Sequence, residues 1–196
     1  WAMQGIDLTR RRVISFIGSM TGAINFEVIA KAARAAMQSG LSVQFVVCGD
    51  GGEDAKVRAL LCDIPNVVMP GWIDEKRIRS LSKVTLATLA PYRNTTDFQM
   101  SIPNKVLDSL SSGLPILTTL EGEVSNLVHR YGVGFYGRED DGNWLLVALR
   151  ALVDDPSLWY EMSQRCHALY RERFECSNVY ASLANKLERM SKISNY

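Results

Sequence analysis

In the stretch SIPNKVLDSLSSGLPILT, Ser101 to Thr118, a lysine and an aspartate stand three residues apart just behind a proline. Ser101, Asn104, Lys105, Asp108 and Ser112 recur at spacings of three and four. On a helix they fall along one side, opposite an apolar stripe of Val106, Leu107 and Leu110. Ser101 or Asn104 can cap that helix, and Pro103 is tolerated in its first turn because no intrahelical donor is lost there. Gly113 stands where a left-handed terminator belongs, and Pro115 stops the helix from resuming. A helix start with free N–H groups, an ammonium and a carboxylate one turn on can hold phosphate and hydroxyls of one ligand together. Taken alone, the same segment also describes an ordinary capped surface helix.

Two glycine loops add to it, Gly18-Ser19-Met20-Thr21-Gly22 and Gly49-Asp50-Gly51-Gly52, together with the polar loop Tyr92 to Lys105. Glycine lets backbone come close to a ligand, and the helices that follow offer N–H donors. One such contact is worth roughly 0.3–1 kcal/mol at an exposed site, so several must converge, as a diphosphate allows. Other chemistries lack their signatures. Neither loop has the dinucleotide-binding glycine spacing, and there is no phosphate-loop lysine motif for ATP hydrolysis. His129 and His167 stand alone, and Cys48, Cys62, Cys166 and Cys176 have no metal-ligand spacing. Glu121 and Glu123 flank Gly122 as helix-starting carboxylates that could touch a ligand; Phe98 and Met100 are lining residues or loop anchors.

The elements that must position these residues alternate. Strands are expected at Val13–Gly18, Val43–Cys48, Val67–Met69, Thr85–Ala90, Pro115–Thr118 and, at an edge, Gly134–Tyr136. Helices are expected from Asn25 to Ser39 (burying Phe26, Ile29, Ala30, Ala33 and Met37), Glu53 to Leu61, Asp74 to Lys83 and Glu123 to Tyr131. Three more close the chain: Gly142 to Val153, Pro156 to Arg173, and Ser177 to about Lys192. Tyr92 to Met100 reads as loop. VQFVVC is apolar nearly throughout, as a parallel strand covered on both faces must be. The rhythm predicts one α/β domain, a Rossmann-like doubly wound parallel sheet of about six strands, with ligands outside the carboxyl ends of the strands.

At 196 residues, with 47% apolar and 22% charged positions, the composition is that of a globular protein with one well-buried core. A net charge of +1 gives no reason to expect nucleic acid. The basic clusters Arg10–Arg12, Lys76–Arg79 and Arg171 with Arg173 read as solvated faces. Cys48 in its apolar strand reads as a small core residue, and unpaired cysteines fit a reducing, cytoplasmic compartment. No apolar run approaches the roughly 20 residues of a membrane helix, and WAMQGIDLTRRR has no signal-peptide core. A chain opening on Trp1 so near a strand is expected to continue a longer protein, with residues 1–12 a linker from an N-terminal domain and 13–196 the nucleotide-sugar-binding domain.

Taken in order, FIGSMTG with Asn25-Phe26-Glu27, VQFVVCGDGGE, NVVMPGWIDEKRI, VTLATLAPY, SIPNKVLDSLSSGLPILT and YRERFECSNVYASLANKL resemble the C-terminal half of a retaining glycosyltransferase of the GT-B type, family 4. The likeness runs from about Val13 to the end, and its Pro-Asn-Lys motif is most similar to bacterial transferases of surface polysaccharide and O-antigen (lipopolysaccharide) assembly. It implies a hexosyl- or N-acetylhexosaminyl-type transferase that binds a nucleoside diphosphate sugar, most often UDP-linked, without a metal or other cofactor. The acceptor, a saccharide or a lipid-linked saccharide, would sit on the N-terminal domain, in the cytoplasm or at the inner face of the membrane.

Asp108 stands where the family has the second glutamate of its E-x7-E motif, on the ribose. The backbone of Ser101, Ile102, Pro103, Asn104 and Lys105 would face diphosphate or donor sugar. Gly18 and Ser19, with Gly49 and Asp50, would approach from the glycine loops, and Trp72, Ile73 and Lys76 would border the base. Two departures stand out. The first glutamate falls at Met100, and the Arg/Lys pair usual after the first strand is missing from Ser19-Met20-Thr21; Lys105, with Arg93 behind it, is the replacement cation. The same departures would suit a non-catalytic transferase-like module. A GT-B sugar-nucleotide epimerase and, more distantly, a nicotinamide-binding Rossmann domain are further alternatives.

Overall fold

The computed structural model describes residues 1–7, 9, 12–141 and 143–193. Arg10 and Arg11 of the first basic cluster, and Gly142 at the expected start of a helix, lie outside them. In chain order the elements are β1 (Val13–Ile17), α1 (Phe26–Gln38), β2 (Gln44–Cys48), α2 (Asp54–Leu61), β3 (Val67–Gly71), α3 (Glu75–Ser82), β4 (Thr85–Ala90) and α4 (Thr96–Gln99). They continue with α5 (Asn104–Ser111), β5 (Ile116–Thr118), α6 (Glu123–Tyr131), β6 (Gly134–Tyr136), α7 (Trp144–Asp154), α8 (Pro156–Arg173) and α9 (Cys176–Ile193).

The strands lie in the order β3-β2-β1-β4-β5-β6, every neighbouring pair parallel. The chain thus winds outward from β1 in one direction, returns after β3, and winds outward from β4 in the other. The reversal falls between β1 and β4, where a crevice must open at the carboxyl ends because the flanking connections leave in opposite directions. Right-handed crossovers place α1 and α2 on one face of the sheet and α3, α5 and α6 on the other.

The core explains why these segments become strands. Val13, Ile14, Phe16, Phe45, Val46 and Val47 have no exposed surface, and each such side chain contributes roughly 1.5–3 kcal/mol on burial. Phe16 meets Phe26 of α1 edge-on, ring centroids 5.1 Å apart. Asp74 caps α3 as expected, its carboxylate accepting from Arg77 N–H at 2.8 Å. Gly113 adopts φ +65° just past α5, packed against His167 of α8. Trp159 fixes the other end of α8 by donating its indole N–H to the Leu86 carbonyl at 2.7 Å. The buried Cys166 thiol points at the Leu114 and Val133 carbonyls, and Cys48 is a core residue.

Three local expectations change. Met37 is exposed, because α1 presents Ala33 and Ala36 to the sheet and the next position on that face is already past its last turn. The Tyr92–Met100 loop contains one helical turn, α4. The cap of α5 is Pro103 in extended conformation: Asn104 is the first helical residue, and the Ser101 hydroxyl turns back to the Phe98 carbonyl. Ahead of β1, Trp1–Asp7 packs on the sheet beside α3, with Ile6 buried in a small cluster with Val13, Val46, Cys48, Ile73, Leu81 and Val84. There the Arg77 guanidinium lies 4.4 Å over the Trp1 ring.

Candidate functional site

A cleft of about 290 Å³ runs down the sheet face between α3 and α5, over β1 and β4 at the reversal of strand order. α5 supplies Lys105, Asp108, Ser109 and Ser112 to one wall. The other wall is Glu75, Ile78, Arg79 and Ser82, the i, i+3, i+4, i+7 face of α3. The floor is Ser15 and Ile17 of β1 with Thr88 and Leu89 of β4. Because α5 begins at the carboxyl edge and rises about 1.5 Å per residue, Lys105 stands at the mouth and Asp108 about one turn down.

Lys105 reaches across the mouth. Its Nζ lies 3.7 Å from the Phe16 ring centroid and 5.0 Å from that of Tyr92, and a Cβ on Gly18 would be only 3.0 Å from it. No carboxylate pairs with it among the described residues. The residue as a whole is part-exposed, yet burial around the ammonium pulls its pKa from 10.5 down to about 7. Two aromatic faces offset some of that desolvation, but the charge lacks an anion. Asp108 has no ion-pair partner among the described residues either; burial alone raises its pKa. At the rim, Arg79 pairs with Glu75.

Hydroxyls line the floor. Thr88 donates to Ser109 Oγ at 2.7 Å, and Ser109 donates to the Lys105 carbonyl at 2.6 Å, tying β4 to the first turn of α5. Beside Thr88 across the strand pair stands Ser15, 2% exposed and without a hydrogen bond among the described residues. Sequence reading passed over Ser15, Thr88 and Ser109. Their one sign was a hydroxyl interrupting the apolar runs VISFI and TLATLA.

The structure thus brings Lys105, Asp108 and Gly18 to one crevice, with Ser101, Ile102, Pro103 and Asn104 forming the turn above it. No side chain caps α5, so its first-turn donors are left to a ligand or to water. The remaining candidates sit differently. Trp72 is largely exposed and Ile73 buried, both at the start of α3; Lys76 points away from the cleft, where Glu75 lines it. Gly49 and Gly51 serve the two loops' own contact. A Cβ at Gly49 would sit 1.9 Å from the Gly18 carbonyl oxygen, and one at Gly51 2.5 Å from that of Met20. Met20 donates to the Asp50 carbonyl at 2.7 Å in the same lacing. Asp50 and Ser19 are exposed at this edge. Arg93 points elsewhere, its Nε on the Gly22 carbonyl. Met100, at the place of the family's first glutamate, is exposed.

Comparison with known proteins gives one family. Residues 11–155 match the model of the glycosyl transferases group 1. No curated protein matches in sequence. Among solved structures, a point mutant of TarM from S. aureus, in complex with fondaparinux, alpha-GlcNAc-glycerol and UDP, superposes with a TM-score of 0.72 at 13% identity. The match covers 90% of this chain and 35% of that one. HepE from Anabaena, in complex with UDP and glucose, gives 0.75 at 15%, covering 95% and 50%. The C-terminal domain of the group 1 glycosyl transferase LpcC from Francisella tularensis gives 0.64 at 16%, covering 84% and 86%. At such identities the likeness is one of fold. The chain spans about a third of TarM and half of HepE. No helix among the described residues is long and apolar enough to cross a membrane.

Proposed function

The chain belongs to the glycosyl transferases group 1, and from that premise we propose that it holds the nucleotide half of a UDP-sugar donor at the β1–β4 crevice. The observation carrying this reading is the unpaired Lys105 ammonium, enclosed by Phe16, Tyr92 and Gly18 at the start of α5. A buried cation without a counter-charge is costly to maintain, and a diphosphate entering the crevice supplies the missing anion. First-turn N–H groups of α5 add donors and a favourable dipole for the same phosphates. One turn down, Asp108 has two free carboxylate oxygens for the ribose hydroxyls.

In the transfer step, the bond from the anomeric carbon to the diphosphate breaks as the acceptor hydroxyl bonds to that carbon, and negative charge collects on the departing phosphate. Fixed donors and an ammonium already aimed there lower the barrier by stabilising that charge, in the role a metal has elsewhere. Support for the uridine nucleotide comes from relatives of the same fold that hold UDP. A hexosyl or N-acetylhexosaminyl group as cargo, a saccharide or lipid-linked acceptor in surface-polysaccharide assembly, and an N-terminal domain carrying that acceptor complete the proposal. On this reading the 196-residue chain binds donor nucleotide but transfers no sugar by itself.

Titration of UDP by calorimetry against the wild type, Lys105→Ala and Asp108→Ala tests it. Loss of the charge-assisted phosphate contact is expected to weaken binding about 10-fold or more, and loss of the ribose contact by roughly 3- to 10-fold. Unchanged affinity in both variants would refute the site.

A further inference from the structure

The hydroxyl pair on the cleft floor goes beyond this reading, although it rests on it. Ser15 is the only polar side chain of β1, in the middle of the sheet, where a methyl or larger apolar group would be the ordinary occupant. Its hydroxyl faces the cleft rather than a protein partner. A buried hydroxyl without a hydrogen bond is disfavoured unless something that enters the cleft satisfies it.

Thr88 stands directly beside Ser15 in register, and its proton is committed to Ser109, whose own proton is committed to the Lys105 carbonyl. Thr88 can therefore offer the cleft only lone pairs, whereas Ser15 retains a free O–H. Together they present an acceptor next to a donor, about one strand spacing (roughly 4.8 Å) apart. The complementary edge on a ligand is an N–H donor next to a carbonyl acceptor, which is the imide edge of uracil. Cytosine presents a bare ring nitrogen and an amino group there. Its nitrogen would face the Thr88 lone pairs.

The dimensions agree. Ser15 lies three residues below Gly18, about 10 Å down a strand, and Asp108 about 6 Å down α5 from Asn104. A nucleoside with its diphosphate at Lys105 and its ribose at Asp108 extends its base toward that floor. Ile17, Ile78 and Leu89 supply apolar walls for the ring faces. A cleft of about 290 Å³ is at the small end for ligand pockets, enough for ribose and a single-ring base with phosphates and sugar outside.

We propose that Ser15 and Thr88 are the base-reading residues of this domain and select a uracil-type imide edge over cytosine. Affinities of UDP and CDP are compared by calorimetry for the wild-type chain, Ser15→Ala and Thr88→Val, with inorganic pyrophosphate as a probe of the phosphate end alone. UDP is expected to bind wild type about 5- to 20-fold more tightly than CDP. Ser15→Ala should weaken UDP about 3- to 10-fold and narrow the gap to CDP while leaving pyrophosphate unchanged. Thr88→Val, checked for folding by circular dichroism, should do the same. Ser15→Met, which fills the floor, should exclude both nucleotides yet retain pyrophosphate. Equal affinity for UDP and CDP, or UDP binding that Ser15→Ala and Ser15→Met leave within 2-fold, overturns base reading while a Lys105→Ala loss keeps the donor site standing. Absence of any nucleotide binding overturns both.

Discussion

If the Lys105 ammonium receives the donor phosphates, UDP binding must take up a proton, and its affinity must fall in alkaline buffer far below the ordinary lysine range. Burial brings the free-state pKa to about 7, so at pH 7.5 about a quarter of the molecules carry the charge, and at pH 9 about one in a hundred. A diphosphate beside the ammonium restores its preference for the proton, and the phosphates themselves are fully ionised above about pH 7. Affinity for UDP is therefore expected to drop about 20-fold between pH 7.5 and pH 9, close to tenfold per unit at the upper end. Calorimetry at pH 8 in two buffers of different ionisation enthalpy should report nearly one proton taken up per UDP. Lys105→Met should bind more weakly, with a flat profile and no proton uptake. A wild-type profile that is flat over this range, or uptake near zero, would refute the assignment of Lys105 to phosphate. The same shift leaves a mark without ligand. Between about pH 7 and 10.5 the unfolded chain holds the lysine proton that the folded chain has shed. The Lys105 penalty on stability is thus fully present below pH 7 and relieved as pH rises through that window, and Lys105→Met should remove that part of the pH dependence of unfolding.

Two perturbations test the scaffold instead. Gly49→Ala places a Cβ 1.9 Å from the Gly18 carbonyl oxygen at φ +133°; backbone on both sides must move, so a loss of about 2–4 kcal/mol in denaturant unfolding is expected, together with weakened UDP binding as Gly18 shifts against Lys105. Asp74→Ala removes the 2.8 Å cap on Arg77 N–H and should cost about 1 kcal/mol in the same assay, loosening the α3 wall of the cleft without touching α5.

The elements were legible because parallel strands buried on both faces leave continuous apolar runs that few other segments share. Thr85–Ala90, Glu123–Tyr131, Gly134–Tyr136 and Pro156–Arg173 have in the structure the limits read from sequence. What went unread depended on neighbours from elsewhere in the chain. Met37 has a perfect helical spacing, but how far α1 overlies the sheet is decided by the sheet's width there. Ser101 and Asn104 are both good capping types, yet the one-turn helix α4 draws the Ser101 hydroxyl back to Phe98 and leaves the cap to Pro103. Trp72, Ile73 and Lys76 are consecutive enough to look like one surface, but strand and helix geometry send them three ways.

Lys105 shows most clearly what pattern alone withholds. From sequence it is a cation at a helix start, where the dipole mildly disfavours it, and nothing in Pro-Asn-Lys says what lies opposite. The strand order decides that. Because β4 lies beside β1 rather than beside β3, the α5 that follows β4 begins directly over the end of β1, and its lysine meets Phe16 and Gly18 from about 90 residues earlier. The same adjacency sets Ser15 next to Thr88. Two strands that each read as apolar with a stray hydroxyl become, once paired, a floor with a defined donor and acceptor. The crevice, the enclosed charge and the polar floor are thus three consequences of one topological reversal, which explains why ligand-binding chemistry gathers at that point and is sparse along the rest of the sheet edge.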